Sequence, residues 1–223
     1  MEFFEKISEL VYPPVCGICG KIDKNYLCNE CIDKINKIRY DNIEKYDGFD
    51  FNKHYYVFKY EGIIREKLID YKFNEKSYLY KTFEKILLNK KSVCEFIKNY
   101  DIILPVPLHK KRKKERGYNQ SDLIIKELAK ELRKTYKINI EINNKILLKV
   151  KNTNKQSSLN KNERKVNIKN AYEIKENMIK VIESKKILIF DDIYTTGNTV
   201  NECAKVIKKA NPKTIDVFTY AKD

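Results

Sequence analysis

Short, wholly apolar runs recur along the chain, separated by longer segments of mixed polarity. The clearest run is ILIF at residues 187–190, which has the length and composition of a strand buried on both faces of a sheet. Residues 101–105 (DIILP) form a second run of this kind. Four further segments are predicted as strands from their β-branched and aromatic content. These segments are residues 54–60, 146–150, 171–174 and 214–220.

The segments between the strands place apolar residues at helical spacing. After residue 199, for example, the residues that recur on one helical face are Val200, Cys203, Ala204, Ile207 and Ala210. Helices are also predicted over residues 3–11, 61–73, 77–89 and 93–100, and in a segment that carries Leu123, Ile124, Leu128 and Leu132. Strands alternating with helices predict an α/β fold, with a sheet flanked by helices.

An acidic and hydroxyl-rich loop follows the strand at 187–190. Ligands of open α/β sheets bind at the carboxyl ends of the strands, where this loop would lie. Its paired carboxylates can accept hydrogen bonds from vicinal sugar hydroxyls or hold a hydrated Mg²⁺, while its threonines, its glycine and the following helix N-terminus favour a phosphate. The pattern predicts a ribose 5-phosphate site, and a solvated turn with a helix cap is the structural alternative. The site residues are Asp191, Asp192, Thr195, Thr196, Gly197, Asn198 and Thr199.

Four of the six cysteines lie near the N-terminus as two CxxC pairs. These are Cys16, Cys19, Cys28 and Cys31. In a reducing compartment such pairs are metal ligands rather than disulfides, and two of them complete a tetrahedral Zn²⁺ site. Because all four ligands are supplied, the predicted zinc is structural rather than catalytic. A redox CxxC is the competing interpretation. Cys94 and Cys203 lie in apolar helical patterns and are predicted to be core residues.

Four motifs, in order along the chain, resemble those of a known family. They are the paired CxxC motifs, LPVPLHKKRKKERGYNQ at 104–120, QSSLNKNERKVNIKNAYEI at 156–174, and the stretch 187–199. The last resembles the phosphoribosyl-pyrophosphate (PRPP) motif of type I phosphoribosyltransferases. The wider chain resembles the ComF family of competence-associated, phosphoribosyltransferase-like proteins. The resemblance implies a type I phosphoribosyltransferase-like domain, PRPP and Mg²⁺ as ligands, a role in DNA uptake during natural transformation, and other competence proteins as partners.

The resemblance also gives roles to residues outside the PRPP motif. By position and family pattern, the loop that contains Pro107 is expected to touch the pyrophosphate. Gln156 and Arg164 match the family's spacing, and either line the groove or tie a loop to the sheet. Lys149 and Lys151 stand where the family tends to have arginine, so the charge is kept and the bidentate fork is lost.

The densest basic run of the chain follows Pro107. Its members, with a nearby tyrosine, are Lys110, Lys111, Arg112, Lys113, Arg116 and Tyr118. The run is expected to form a loop, for which three interpretations stay open. It is a solvated surface segment, it closes over the pyrophosphate, or it follows a single-stranded DNA backbone with Tyr118 available for base stacking.

Composition narrows the class of protein. A formal charge of +15 and a pI near 9.3 suit a polyanionic partner, although a lysine-rich proteome would give the same balance. Hydrophobic residues make up 42% of the chain, which is enough for a packed core. No apolar run reaches the ~20 residues needed to span a bilayer, and the acidic N-terminus does not resemble a signal peptide. A cytoplasmic location is expected.

The predicted domain plan has three parts. Residues 1–40 form an N-terminal helix and zinc knuckle, residues 41–53 a polar linker, and residues 54–223 the phosphoribosyltransferase-like domain. The predicted function is PRPP binding with handling of single-stranded DNA. An active phosphoribosyltransferase and a regulatory PRPP sensor are the alternatives. Purine salvage is disfavoured, since Thr195 stands where such transferases carry an acid that acts as general base.

Overall fold

A six-stranded sheet forms the centre of the protein, in a computed structural model that describes residues 13–38, 41–153 and 167–223. The strands are β1 (Asn42–Lys45), β2 (Lys53–Lys59), β3 (Ile102–Pro105), β4 (Glu141–Ile142), β5 (Leu147–Lys149), β6 (Tyr172–Ile174), β7 (Lys186–Tyr194) and β8 (Thr214–Lys222). The sheet order is β1-β2-β8-β7-β3-β4, and each neighbouring pair is parallel except β1 with β2. β5 and β6 form a separate antiparallel pair.

Helices cover both faces of this sheet. Those with described bounds are α1 (Asn29–Asn36), α2 (Gly62–Phe73), α3 (Leu79–Leu88), α4 (Lys91–Ile97), α5 (Lys110–Arg116), α6 (Gln120–Tyr136), α7 (Ile179–Ile182) and α8 (Asn198–Lys208). Side chains alternate along β7, so Leu188 and Phe190 pack in the hydrophobic cluster formed with α2, α3, α4 and α6. Ile187 and Ile189 pack in the opposite cluster, with α7 and α8. Burial on both faces explains the apolar run and confirms the predicted α/β class.

Strand β7 is longer than its apolar run. It continues through Asp191 and Asp192 because β8 pairs with it as far as Tyr194 opposite Lys222. The polar loop is therefore shorter than predicted, at residues 195–197, and α8 begins at Asn198.

Two other predicted segments pair differently from the expectation. Residues 171–174 were expected to complete the main sheet, but β6 pairs antiparallel with β5, with Tyr172 opposite Lys149. The predicted linker at 41–53 contains β1, which pairs with β2 along the edge of the main sheet. β1 is anchored there by Glu44, which accepts hydrogen bonds from Tyr46 and from Tyr56.

The basic run is a helix, α5, rather than the predicted loop. Lysine, arginine and glutamate are good helix formers, and both ends of the segment are capped. The Nδ1 of His109 accepts from the Lys111 N–H at 3.3 Å, and Gly117 closes the helix with a left-handed φ of +82°.

The cysteine-rich segment packs directly on α3. Leu27 and Ile35 belong to the same hydrophobic cluster as Leu79 and Phe83. The Thr82 hydroxyl donates to the backbone carbonyl of Tyr26 at 2.7 Å. The predicted N-terminal helix lies outside the described residues. Among the described residues, no helix has the length and apolar character to cross a bilayer.

Candidate functional site

The residues predicted to bind PRPP surround one cleft at the carboxyl ends of β3 and β7. The cleft has a volume of about 600 Å³. β3 and β7 are adjacent and parallel, with Pro105 opposite Phe190, so the segments that follow them meet at one edge of the sheet. Its lining includes Pro107, Asp191, Asp192, Thr195, Thr196, Gly197, Asn198 and Thr199. The structure therefore brings together residues that are more than 80 positions apart, and their ligand stays a prediction.

The acidic pair is held in place by two residues from other elements. The Ser121 hydroxyl donates to Asp191 Oδ1 at 3.0 Å, and the Lys72 ammonium lies 2.9 Å from Asp192 Oδ1. Burial, and then the neighbouring charge of Asp192, raise the pKa of Asp191 to about 7. A ligand that presents hydroxyl donors, or a cation, would compensate this crowding of negative charge.

The side of the cleft that is predicted to hold the phosphate is formed by residues 195–197 and the first turn of α8. The first N–H groups of a helix lack intrahelical acceptors, and they point towards an anion placed at the helix N-terminus. Gly197 has a left-handed φ of +74°, and a Cβ there would overlap the phenol of Tyr194. The Tyr194 ring therefore occupies the space that a side chain at residue 197 would need, and the loop backbone can lie against the ring only because residue 197 is glycine.

A buried histidine packs against the ring of Tyr194. The His54 ring stacks on Tyr194, with centroids 4.1 Å apart, and its Nε2 lies 2.8 Å from the Thr219 hydroxyl. Burial lowers the pKa of His54 to about 3, so the ring is neutral. His54 is thus a packing partner of the loop and not a charge that varies near neutral pH.

The opposite wall of the cleft comes from one face of α5. Arg112 and Arg116, four residues apart, are half-buried and line the cleft. The guanidinium of Arg116 lies 5.6 Å from the centroid of the Phe73 ring, and burial lowers its pKa. Three predicted residues do not line the cleft and are exposed: Lys110, Lys111 and Lys113. The helix therefore divides the basic run into an arginine face and a lysine face.

Tyr118 is anchored rather than free. Its hydroxyl donates to the Tyr71 carbonyl at 2.6 Å, and the two rings lie 5.6 Å apart. The neighbouring Tyr71 hydroxyl donates to the Gln120 carbonyl at 3.0 Å. These bonds join the last turn of α2 to the start of α6.

Sequence reasoning missed three residues at this site: Lys72, Ser121 and Gln120. Gln120 is only 2% exposed and lines the cleft, and its Nε2 has no hydrogen-bond partner within the described residues. A buried donor without a partner, beside the predicted phosphate site, is an expected ligand contact. Gln120 and Ser121 lie a few residues after the basic run, and this nearness could have indicated them. Lys72 lies far away in the sequence, where no such indication exists.

The two lysines compared with family arginines have different positions. Lys149 lines the cleft over the Tyr172 ring, at 5.4 Å from its centroid, and burial lowers its pKa. Lys151 donates to the Lys169 carbonyl at 3.0 Å, away from the cleft. Gln156 and Arg164 lie outside the described residues.

A second site is the cysteine cluster. The sulfur atoms of Cys16, Cys19, Cys28 and Cys31 all lie within 4.8 Å of one another. Burial acts to raise the pKa of Cys16, but backbone N–H donors, first that of Cys28, outweigh it and hold the pKa at about 7. Four thiols at this spacing fit a single tetrahedral metal ion, because each can supply one ligand atom.

Comparisons with known proteins agree with this architecture. The family model described as "Phosphoribosyl transferase domain" matches residues 119–223, which include the acidic pair and the loop at 195–197. "Competence protein ComFC" of Bacillus subtilis is 26% identical over 207 residues, 92% of this chain and 76% of that protein. "Competence protein F" of Haemophilus influenzae is 34% identical over 122 residues, 55% of this chain and 50% of that protein. These matches show that the chain is similar to competence proteins of the ComF type and contains a phosphoribosyltransferase-like domain.

A third relative carries a different name. "DNA utilization protein YhgH" of Escherichia coli is 30% identical over 118 residues, 53% of this chain and 48% of that protein. The match spans about half the length of the Haemophilus and Escherichia proteins. The part of this chain that the family model matches holds the acidic pair, while the cysteine cluster and Lys72 precede it.

Proposed function

We propose that this protein binds PRPP together with Mg²⁺ in the cleft at the carboxyl ends of β3 and β7. The observation that carries the proposal is the convergence of Asp191 and Asp192 with the α8 N-terminus in one cleft of about 600 Å³. The carboxylates suit the vicinal hydroxyls of a ribose, and the loop with its helix terminus suits the 5-phosphate. Arg112 and Arg116 supply forked donors for a pyrophosphate on the opposite wall.

The protein is further proposed to act in competence, by handling single-stranded DNA. The names of three relatives refer to competence or to DNA utilization. The formal charge of +15 and the exposed lysines of α5 supply the electrostatic attraction that a DNA backbone requires. A role in natural transformation, which the resemblance to the ComF family implies, is part of this proposal.

Zinc is the proposed occupant of the cysteine cluster. Four thiolates without an oxygen ligand match the preference of Zn²⁺ and leave no position open for a reactant. The metal would then stabilise the cysteine-rich segment against α3 and take no part in ligand chemistry.

The PRPP proposal is tested by isothermal calorimetry with PRPP and Mg²⁺. Replacing both acids, as Asp191→Asn with Asp192→Asn, removes two charged acceptors, each worth roughly 1.5–3 kcal/mol when hydrogen-bonded. The affinity should fall at least about a hundredfold, since 1.4 kcal/mol corresponds to a factor of about ten. A double variant that keeps its affinity would overturn the assignment.

A matched control removes two carboxylates elsewhere. Glu176 and Glu183 are exposed and lie outside the cleft lining. Glu176→Gln with Glu183→Gln changes the net charge by the same amount and should leave PRPP affinity within twofold. Thermal midpoints of both double variants show whether a lost affinity reflects a lost fold.

An active transferase with an unidentified acceptor is the second candidate function. One observation favours it: a further cleft of about 440 Å³ adjoins the proposed PRPP site. The two clefts share Lys72, Phe73, Arg112 and Arg116. Such a space beside the ribose could admit an acceptor. Release of pyrophosphate from PRPP only when an acceptor is added would support a transferase. PRPP binding without release over nucleobase and oligonucleotide acceptors would favour the binding function.

A further inference from the structure

The adjoining cleft contains an exposed aromatic ring, Phe73, which also lines the proposed PRPP cleft but has no assigned part in PRPP binding. Phe73, the last residue of α2, is 51% exposed and lines this cleft together with Tyr118. A half-exposed phenylalanine at a helix end is common and by itself indicates nothing. Phe73 differs because the Arg116 guanidinium lies over its ring, at 5.6 Å from the centroid.

The cleft joins that aromatic surface to positive charge. Lys72, Arg112 and Arg116 line it, and the carboxylates of Glu75 and Glu115 also contribute to the lining. A flat aromatic face next to guanidinium groups binds a nucleobase by stacking and its phosphate by charge-assisted hydrogen bonds. An apolar ligand would not use the cations, and a simple anion would not use the ring.

Phe73 is better placed to stack than the tyrosine next to it. Tyr118 is half-buried, and its hydroxyl is committed to the Tyr71 carbonyl at 2.6 Å. A ring held in this way forms the wall of the cleft, whereas about half of the Phe73 surface is open to a ligand.

We propose that one nucleotide of single-stranded DNA occupies this cleft, with its base stacked on Phe73 and a phosphate paired with Arg112 or Arg116. The proposal rests on the proposed DNA-handling function, which supplies the ligand class. It places the DNA path directly beside the PRPP site, because the two clefts share both arginines.

The sequence contains no tryptophan, which allows a specific fluorescence test. Phe73→Trp introduces a single reporter in the cleft, and Tyr136→Trp introduces one at the far end of α6. Tyr136 is a matched position because it is also 51% exposed and lies outside both clefts. Titration with a twelve-residue oligothymidylate should quench the reporter at position 73 by direct stacking and leave that at position 136 nearly unchanged.

A second measurement removes the ring. Phe73→Ala should weaken oligothymidylate binding, followed by anisotropy, by about fivefold to over a hundredfold, the range that corresponds to roughly 1–3 kcal/mol per stacked base. Phe73→Tyr should restore the affinity, since it keeps the aromatic face. Thermal midpoints control for folding. Equal quenching at positions 73 and 136, or unchanged binding by Phe73→Ala, would overturn the proposal.

The outcomes separate this inference from the function on which it rests. If the unaltered protein binds no oligothymidylate, the proposed DNA handling fails. If it binds but the reporter at position 73 is silent, only the placement at Phe73 fails. If thymidine monophosphate quenches that reporter and binds with the same affinity as the oligomer, the occupant is a free nucleotide, and the assignment to DNA is overturned.

Discussion

Gly197 shows how a neighbouring side chain can limit a single residue. Its φ of +74° lies in the left-handed region, and a Cβ at this position would overlap the Tyr194 phenol. Tyr194 cannot easily turn aside, because its ring is stacked on buried His54. Gly48 offers a contrast, since its φ of +81° is similar but no heavy atom lies within 4 Å of the corresponding Cβ.

The two glycines predict different outcomes for the same substitution. Gly48→Ala should cost about 1–2 kcal/mol of unfolding free energy, the backbone cost of a left-handed residue with a Cβ. Gly197→Ala should cost more in urea unfolding, because the overlap adds to the backbone term. It should also weaken PRPP binding at least about tenfold in calorimetry. Equal effects of both substitutions on PRPP affinity would show that the Tyr194 contact is unimportant.

Glu84 is a second residue whose surroundings determine its behaviour. The side chain is 1% exposed on α3, and its Oε1 has no partner among the described residues. Burial raises the pKa of Glu84 to about 7, and the nearby Lys85 ammonium only partly opposes this. Since the folded pKa exceeds the unfolded value of 4.5, the contribution of Glu84 to stability is greatest at low pH and is lost as the pH rises from about 4.5 to about 7.

Glu84→Gln should therefore stabilise the protein, relative to the parent, more at pH 8 than at pH 5. A shift from 4.5 to about 7 corresponds to at most about 3 kcal/mol, at 1.36 kcal/mol per pKa unit. Denaturant unfolding at both pH values measures the difference between variant and parent. Glu183→Gln, which removes an exposed carboxyl, controls for the loss of charge. A difference that does not depend on pH would contradict the account.

At the scale of elements, α5 places two kinds of cation on opposite sides. Arg112 and Arg116 line the cleft, whereas Lys110 and Lys114 project from the opposite side of the helix and are exposed. A substitution that combines Arg112 with the lysines would therefore disturb both sides together. Two separate double substitutions, one of the arginines and one of the lysines, can assign a role to each side, because both remove the same charge.

We expect Arg112→Gln with Arg116→Gln to weaken PRPP binding at least about tenfold, because forked donors to the pyrophosphate are lost. Lys110→Gln with Lys114→Gln should leave PRPP affinity within twofold. The lysine pair should instead reduce the salt dependence of single-stranded DNA binding by about 1.4 in slope, at about 0.7 per phosphate contact. Calorimetry and salt titrations measure these effects. If the lysine pair changes PRPP affinity and not the salt slope, the assignment of the two faces is wrong.

The elements also show which features the sequence could predict. Helices α2, α3, α6 and α8 follow apolar patterns that mark a core-facing side, so their positions were predicted to within a few residues. α5 has no buried residue and depends instead on helix propensity and on its caps at His109 and Gly117. The pairing of β6 with β5 is a non-local choice that periodicity does not contain. Lys72 reaches Asp192 from an element about 120 residues earlier, and no local pattern indicates such a contact.

At the scale of the whole molecule, the cysteine cluster belongs to the main packing unit. Cys16, Cys31, Leu27 and Ile35 lie in the same hydrophobic cluster as the helices of the phosphoribosyltransferase-like domain. Gly17 lies so close to α3 that a Cβ would overlap Leu79 and Thr82. Loss of order around the cysteines would therefore expose part of the main core.

This packing predicts that metal loss destabilises the whole protein rather than a separate module. Exposing Leu27 and Ile35 would cost about 1.5–3 kcal/mol each, which lowers a thermal midpoint by roughly 10 °C for a chain of this size. Cys28→Ser, or removal of the metal with a chelator, should therefore shift one unfolding transition, and Zn²⁺ but not Mg²⁺ should reverse the effect of the chelator.

Cys94→Ser, which alters a buried thiol outside the cluster, should keep the metal content measured by elemental analysis. A new transition at low temperature, with the main midpoint unchanged, would mean that the cysteine-rich segment folds independently. Protein purified under reducing conditions without any bound metal would rule out the zinc site itself.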